Sequence, residues 1–241
     1  MLFHGPYIGR CLDLYGEYSE SEVDVFRAFV GPGSYAVDVG ANIGDLTLPL
    51  AHLVGATGRV FAFESHPDNF NVLCANLALN GLRNVKPLNQ FVADRPDAST
   101  ASEGWGRHAY IGDVWDPCIA PLDALALERC DFIKVDVDGK ELEVLRSGER
   151  TIRAHRPVLY FENDVPARSQ ELLGYVLETL EYRVFAHAAP IFRPDKFYDN
   201  PVNAWAPTDI VSQMMIALPR DREPPFDALP EVESADFSWR L

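Results

Sequence analysis

The chain has 241 residues, 47% of them hydrophobic, which suits one sizeable α/β core and leaves little for a second full domain. A formal net charge of −15, with no Lys/Arg stripe to reverse it locally, argues against nucleic acid as a substrate. No apolar run approaches the roughly 20 residues that cross a bilayer, and MLFHGPYIGR lacks the basic-then-apolar pattern of a signal peptide, so no membrane partner and a cytoplasmic location are expected.

From about residue 35 strand and helix signals alternate, which predicts βαβ units, a mostly parallel sheet and helices on both faces. Tyr35 to Val39 reads as a buried strand, entered through Gly31-Pro32-Gly33 and ended by Gly40. Residues 45 to 54 read as a helix with Pro49 in its first turn, and Arg59 to Glu64 as a second strand. The next helix starts at Pro67 and puts Phe70, Leu73 and Leu77 on one face. Asn84 to Val92 predicts a third strand, and the Gly/Ser/Asp/Pro-rich stretch from Asp94 to Pro121 has no clear period. His108, Trp105 and Trp115 in that stretch are candidates for a lid or acceptor pocket, or for plain packing.

Phe132 to Val137 predicts a fourth strand, Lys140 to His155 a helix, and Val158 to Glu162 a fifth strand. Ser169 to Leu180 is amphipathic, with Leu172, Leu173, Val176, Leu177 and Leu180 toward the sheet. Tyr182 to Ala186 and Ile210 to Leu218 complete the strands. The tail from Pro219, with four prolines and six acids, reads as an arm or as disorder. This divides the chain into an N-terminal segment (1–30) expected to cover the ligand site, a domain over 31–218, and the tail (219–241). The scattered cysteines Cys11, Cys74, Cys118 and Cys130 read as reduced and mostly packed, with Cys118 the most exposed.

Val37-Asp38-Val39-Gly40-Ala41-Asn42-Ile43-Gly44 is the strongest motif, placed where the first strand meets the first helix of the sheet. Glycines there let the backbone turn sharply against a ligand. A dinucleotide site gains nothing from a carboxylate beside its pyrophosphate, whereas Asp38 could attract a cationic, phosphate-free nucleoside. Asn42 also stands where G-x-G-x-x-G has its middle glycine. Glu64, 20 residues beyond Gly44, stands where an acid can accept both ribose hydroxyls.

With these residues in view the sequence resembles the FkbM-type methyltransferases. The resemblance rests on DVGANIGDLTLPLA (38–51), GRVFAFESHPDNFNVLCANLALNGLRNV (58–85), LDALALERCDFIKVDVDGKELEVLRSG (122–148) and RPVLYFEN (156–163). It implies a Rossmann-like class I methyltransferase fold: a seven-stranded, mostly parallel sheet whose last two strands form an antiparallel pair, with helices on both faces. It also implies S-adenosylmethionine as donor and O-methylation of a sugar or secondary-metabolite hydroxyl. Carried over by position, Asp38, Gly40, Asn42 and Gly44 line the methionine side, Glu64 and Ser65 the ribose, and Gln90 the adenine. Two departures stand out. The family's usual D-x-E-G-x-E is Asp136-Val137-Asp138-Gly139-Lys140-Glu141 here, and ESHP replaces the more usual EPxP.

An alcohol acceptor must lose its proton, so a base within reach of the site is expected. Asp136, which follows an apolar strand, is the first candidate and could equally orient the cofactor ammonium or cap the next helix. Glu162 at the end of the fifth strand is the second, with pairing to Arg156 or Arg168 as its bland alternative. His187 is the third, by its ordinary titration range. Asp136, Asp138 and Glu162 could together hold magnesium if the enzyme uses it. Rival readings are an NAD(P)-dependent oxidoreductase, for which neither G-x-G-x-x-G nor a Tyr/Lys relay is found, and a non-catalytic nucleoside-binding module. The partner expected is a small-molecule or sugar acceptor; oligomeric state is open, a homodimer being one option.

Overall fold

The computed structural model describes residues 1–3, 5–94, 118–207, 210–226 and 229–239. The segment containing Trp105, His108 and Trp115 lies outside the described residues, so the expected lid does too. Ten strands are described: β1 (Tyr35–Val39), β2 (Arg59–Phe63), β3 (Val85–Leu88), β4 (Phe91–Val92), β5 (Ile119–Ala120), β6 (Phe132–Val135), β7 (Val158–Glu162), β8 (Tyr182–Pro190), β9 (Val211–Pro219) and β10 (Glu231–Val232). Eight form one sheet in the order β10-β8-β9-β7-β6-β1-β2-β3. Strands β3, β2, β1, β6 and β7 are parallel, while β9 runs antiparallel to both β7 and β8. This is the expected α/β arrangement of seven strands, to which the tail adds an eighth.

Helices cover both faces because the strands are apolar on both sides. On one face α2 (Glu20–Phe29) and α3 (Thr47–Val54) bury Phe26, Phe29, Leu50 and Val54 against Ala36, Val60, Phe132 and Ile216. On the other, α5 (Glu141–Ser147), α6 (Glu149–His155) and α7 (Pro166–Gly174) bury Leu142, Leu145, Ile152 and Leu172 against Val37, Ile133, Leu159 and Ala217. The helix after β2, α4 (Pro67–Leu79), starts at its proline and buries Leu73 and Leu77, and a short α1 (Arg10–Tyr15) precedes α2. Pro49 sits in the first turn of α3, where its missing N–H costs nothing.

Four boundaries differ from the sequence reading. The expected third strand divides: after Leu88 the chain leaves the main sheet, and β4 pairs with β5 in a separate two-stranded ribbon, with Phe91 N donating to Cys118 O. The expected helix over 140–155 breaks at Gly148, where a Cβ would lie 3.0 Å from Leu122 Cδ2 and Ser147 Oγ bonds back to Val144 O. The helix expected at Ser169 begins at Pro166 and widens to a π turn over Tyr175–Thr179. The tail, expected as an arm or disorder, instead packs on the domain.

Within that tail β10 pairs antiparallel with β8, Val232 is buried, and Trp239 Nε1 donates to Asn163 O. Phe226 meets Phe29 and Phe185 edge-on. Few apolar residues suffice when each finds a pocket, a property composition does not report. The four cysteines are free; Cys11 and Cys130 are buried and Cys118 is exposed. No helix among the described residues is long and apolar enough to cross a membrane.

If the tail is integral, Phe226→Ala removes a half-buried ring and costs roughly 1 to 2 kcal/mol in denaturant unfolding. An unchanged midpoint would show the tail to be detached from the folding unit.

Candidate active site

The parallel strands open at their carboxyl ends into a cleft of about 880 Å³. Its floor is the turn after β1. Gly40, Asn42 and Gly44 have φ values of 83°, 48° and 93°. Gly40 leaves no alternative, because a Cβ there would lie 1.9 Å from Asp136 O. The cleft wall includes Gly40, Asn42, Asp45, Glu64, Ser65, Gln90, Asp136, Asp138, Lys140 and Glu162. From the N-terminal segment Gly5, Tyr7, Ile8 and Tyr18 also line it, where the sequence reading places a cover.

The backbone amides of the turn are already engaged. Gly40 N and Ala41 N both donate to Phe63 O, Gly44 N to Ala41 O, and Asn42 N to Glu64 Oε2 at 2.8 Å. A pyrophosphate needs such amides free. Glu64 Oε1 also accepts from His66 N at 2.7 Å, so the carboxylate ties the turn to the end of β2. Each of its oxygens keeps one further lone pair for a ligand hydroxyl.

Asp38 differs from the expectation. It is fully buried and absent from the cleft wall: Oδ2 accepts from Thr47 Oγ1 at 2.6 Å and Oδ1 lies 3.3 Å from Lys134 Nζ. Parallel pairing of β1 with β6 sets Asp38 directly beside Lys134. Lys134 Nζ donates to Gly40 O at 2.8 Å and stands 3.6 Å from the half-exposed Asp136. Burial works against its charge, yet Asp38, Asp136, Asp45 and Glu22 outweigh that and hold Lys134 above the ordinary lysine range. Asp38 therefore shapes the turn through Lys134 rather than facing a ligand. Gly44 is likewise absent from the wall; a Cβ there would press on Leu48 and Leu73.

The acids of the cleft come from different elements. Burial pushes Glu64 up to about 7 despite its two amide partners. It does the same to Asp45, whose Oδ1 is buried without a hydrogen-bond partner among the described residues. Glu141 Oε1 accepts from Val137 N and Gly139 N, fixing the turn that holds Asp138 at a φ of 50° and Gly139 at 87°. Glu162 is pushed up to about 11 by burial first, then by Asp136, Asp164, Glu141 and Asp138. Arg156 and Arg168 do not reach Glu162: the first bonds Leu180 O and Glu181 O, the second pairs with Glu143. Burial and the surrounding acids thus favour the protonated form of Glu162 in the ligand-free protein.

Asp136 does not cap the following helix, whose N-cap is Lys140. His187 is not on the cleft wall; its Nδ1 lies 3.0 Å from Tyr160 Oη, and burial lowers its affinity for a proton against the pull of Asp24. Among the described residues no three His, Cys, Asp or Glu side chains are grouped to hold a metal, Asp136, Asp138 and Glu162 included. Sequence reasoning missed Asp45, Lys134 and Glu22. A lysine inside the apolar run FIKV was the available signal, since a buried charge demands buried partners.

Residues 38–186 match the methyltransferase FkbM domain. The chain belongs to this family. No curated protein matches its sequence. Among solved structures, the FkbM methyltransferase of Methylobacillus flagellatus KT is 17% identical and covers 82% of this chain and 50% of its own, with a TM-score of 0.55. Precorrin-6y C5,15-methyltransferase of Geobacter metallireducens GS-15 is 14% identical over 83% of this chain and 87% of its own, at 0.55. The SAM-dependent O-methyltransferase of Thermotoga maritima is 16% identical over 86% of this chain and 66% of its own, at 0.51. At such identities the likeness is one of fold. This FkbM-family chain spans half the length of the Methylobacillus protein.

Glu22, Asp45, Glu64 and Glu141 all bind a proton more tightly when folded than their ordinary values allow. The unfolded chain therefore ionises first, and stability is lost as pH climbs from 4.5 toward about 7. Denaturant unfolding of the ligand-free protein should accordingly give a higher midpoint at about pH 5 than at about pH 8. The reverse order would contradict the assigned burial of these acids.

Proposed function

We propose that this FkbM-family protein binds S-adenosylmethionine in the cleft and transfers its methyl group to a hydroxyl of a sugar or other small metabolite. What carries the reading is the floor of the cleft: turn amides turned inward onto Phe63 O, Ala41 O and Glu64, beneath a wall on which carboxylates outnumber lysines. Such a site disfavours a diphosphate and favours a phosphate-free nucleoside with positive charge. The orphan Asp45 Oδ1 fits a ligand ammonium, and the glycine at 40 lets the turn close against Asp136 O at the cleft floor. The NAD(P) reading has no comparable support.

When bound, the donor supplies a methyl group on a sulfonium, already a good leaving group. The protein's part is to position and to handle a proton. Glu64 would accept ribose hydroxyls with its remaining lone pairs, with Ser65 beside it, while Gln90 and Phe91, also on the wall, would hold the adenine. Asp136, half-exposed on the wall, is the carboxylate best placed to take the acceptor's proton. Glu162 would orient the acceptor by donating its own. Gly5, Tyr7 and Tyr18 would close the cleft from the N-terminal side.

Calorimetry with S-adenosylhomocysteine tests the donor site. Binding is expected for wild type, none for NAD, and roughly tenfold to hundredfold weaker binding for Glu64→Gln, which loses one charged acceptor. Binding of NAD in preference to S-adenosylhomocysteine would end this reading. The acceptor follows from incubating the protein and labelled donor with an extract of its host and finding by mass analysis what gains a methyl group.

A further inference from the structure

A polar path leads from the cleft through the sheet face beneath α2 to the far side. Glu22, in the first turn of α2, is 2% exposed. Its Oε1 accepts from Ser19 Oγ at 2.7 Å, a bond between side chains that leaves the backbone N–H groups of the helix start without a side-chain cap. That bond uses only one oxygen. Oε2 is buried with no partner of ordinary hydrogen-bond geometry, and the hydroxyls of Ser212 and Tyr160 face this carboxyl. Ser212 is on the cleft wall. Tyr160, fully buried on β7, places Oη 3.0 Å from His187 Nδ1, and His187 on β8 is partly open to solvent. The stacking of Phe26 edge-on to Phe132 and Tyr160 fixes α2, and so Glu22, over this point.

We propose that Ser212, Glu22, Tyr160 and His187 form a proton path that carries the proton released in methyl transfer from the cleft to solvent. This rests on the methyl-transfer reading above. As the acceptor oxygen bonds to the methyl carbon, the carbon–sulfur bond breaks and its electron pair stays on sulfur. The acceptor's proton must leave, and a cleft already holding protonated acids stores it poorly. The proton taken by Asp136 passes to Ser212, on the same cleft wall, whose own moves to Glu22. The proton of Glu22 moves to Tyr160, the Tyr160 hydroxyl proton to His187 Nδ1, and Nε2–H to water. One proton is carried, and no group changes its net charge. Supporting this, burial brings Glu22 to about 7, with Asp136 and Lys134 the charges facing it, while His187, faced by Asp24, is held below its ordinary value and releases readily. These four are relay residues; none need touch the donor.

Two readouts test the path. In nuclear magnetic resonance titrations of the ligand-free protein, the His187 ring should show, besides its own step, a second inflection following Glu22 near pH 7. That inflection should vanish in both Tyr160→Phe and Glu22→Gln. In methyl transfer from labelled donor to host extract, His187→Ala should slow the reaction roughly tenfold to a hundredfold. Added imidazole buffer should restore the rate, and S-adenosylhomocysteine affinity should not change. His187→Gln, which keeps an acceptor for Tyr160 but carries no proton, should be slow without being rescued. A one-step His187 titration in wild type, an unslowed His187→Ala, or a loss that imidazole does not repair overturns the path. Absence of label transfer by the wild type overturns the methyl-transfer reading instead, and the ring titration then still decides whether Glu22 and His187 are connected.

Discussion

The buried lysine at the centre of the sheet is the constraint on which the rest depends. Period-two alternation places Asp38, Lys134 and Tyr160 in one row across β1, β6 and β7, on the face covered by α2. Removing one member of a buried ion pair costs about 3 to 5 kcal/mol, because the other is left charged without water. Lys134 therefore demands Asp38, and its second bond, to Gly40 O, fixes the start of the turn that floors the cleft. One step further along the strands the same register brings Asp136 and Glu162 to the carboxyl edge, on the wall of the cleft.

Above this row acids outnumber cations, and the imbalance has two effects. Without a ligand several carboxyls keep protons they would lose in water, a condition that weakens the fold as pH rises. With a cationic ligand in place, the same groups gain a partner for their charge. Strain on the ligand-free fold and the affinity we propose for a positive nucleoside are thus one property seen from two sides.

Much of this was legible in the chain. The turn from Gly40 to Gly44 announced itself because few residues besides glycine and asparagine accept positive φ, and Glu64 because its distance from that turn is set by one helix and one strand. The role of Asp38 was misread, since an acid beside a glycine turn looks like a ligand group until the register of β1 against β6 hands it a lysine. Glu22 could not be found from its own neighbourhood; only packing of α2 on β6 and β7 brings it to Tyr160, behind the cleft. The titration of Glu162 depends on Asp136, Asp138 and Glu141, brought to it from across the sheet, and the tail on individual pockets for Phe226 and Val232. Pattern reports neighbours along the chain and is silent on those across it.

The most direct test of the central claim is a crystal structure of the protein with S-adenosylhomocysteine. The account predicts the ribose hydroxyls on Glu64, the amino-acid end over the Gly40–Asn42 turn near Asp45 and Asp136, and Lys134 still bonded to Gly40 O beneath it. A ligand seated elsewhere, or a diphosphate held by the amides of that turn, would contradict it.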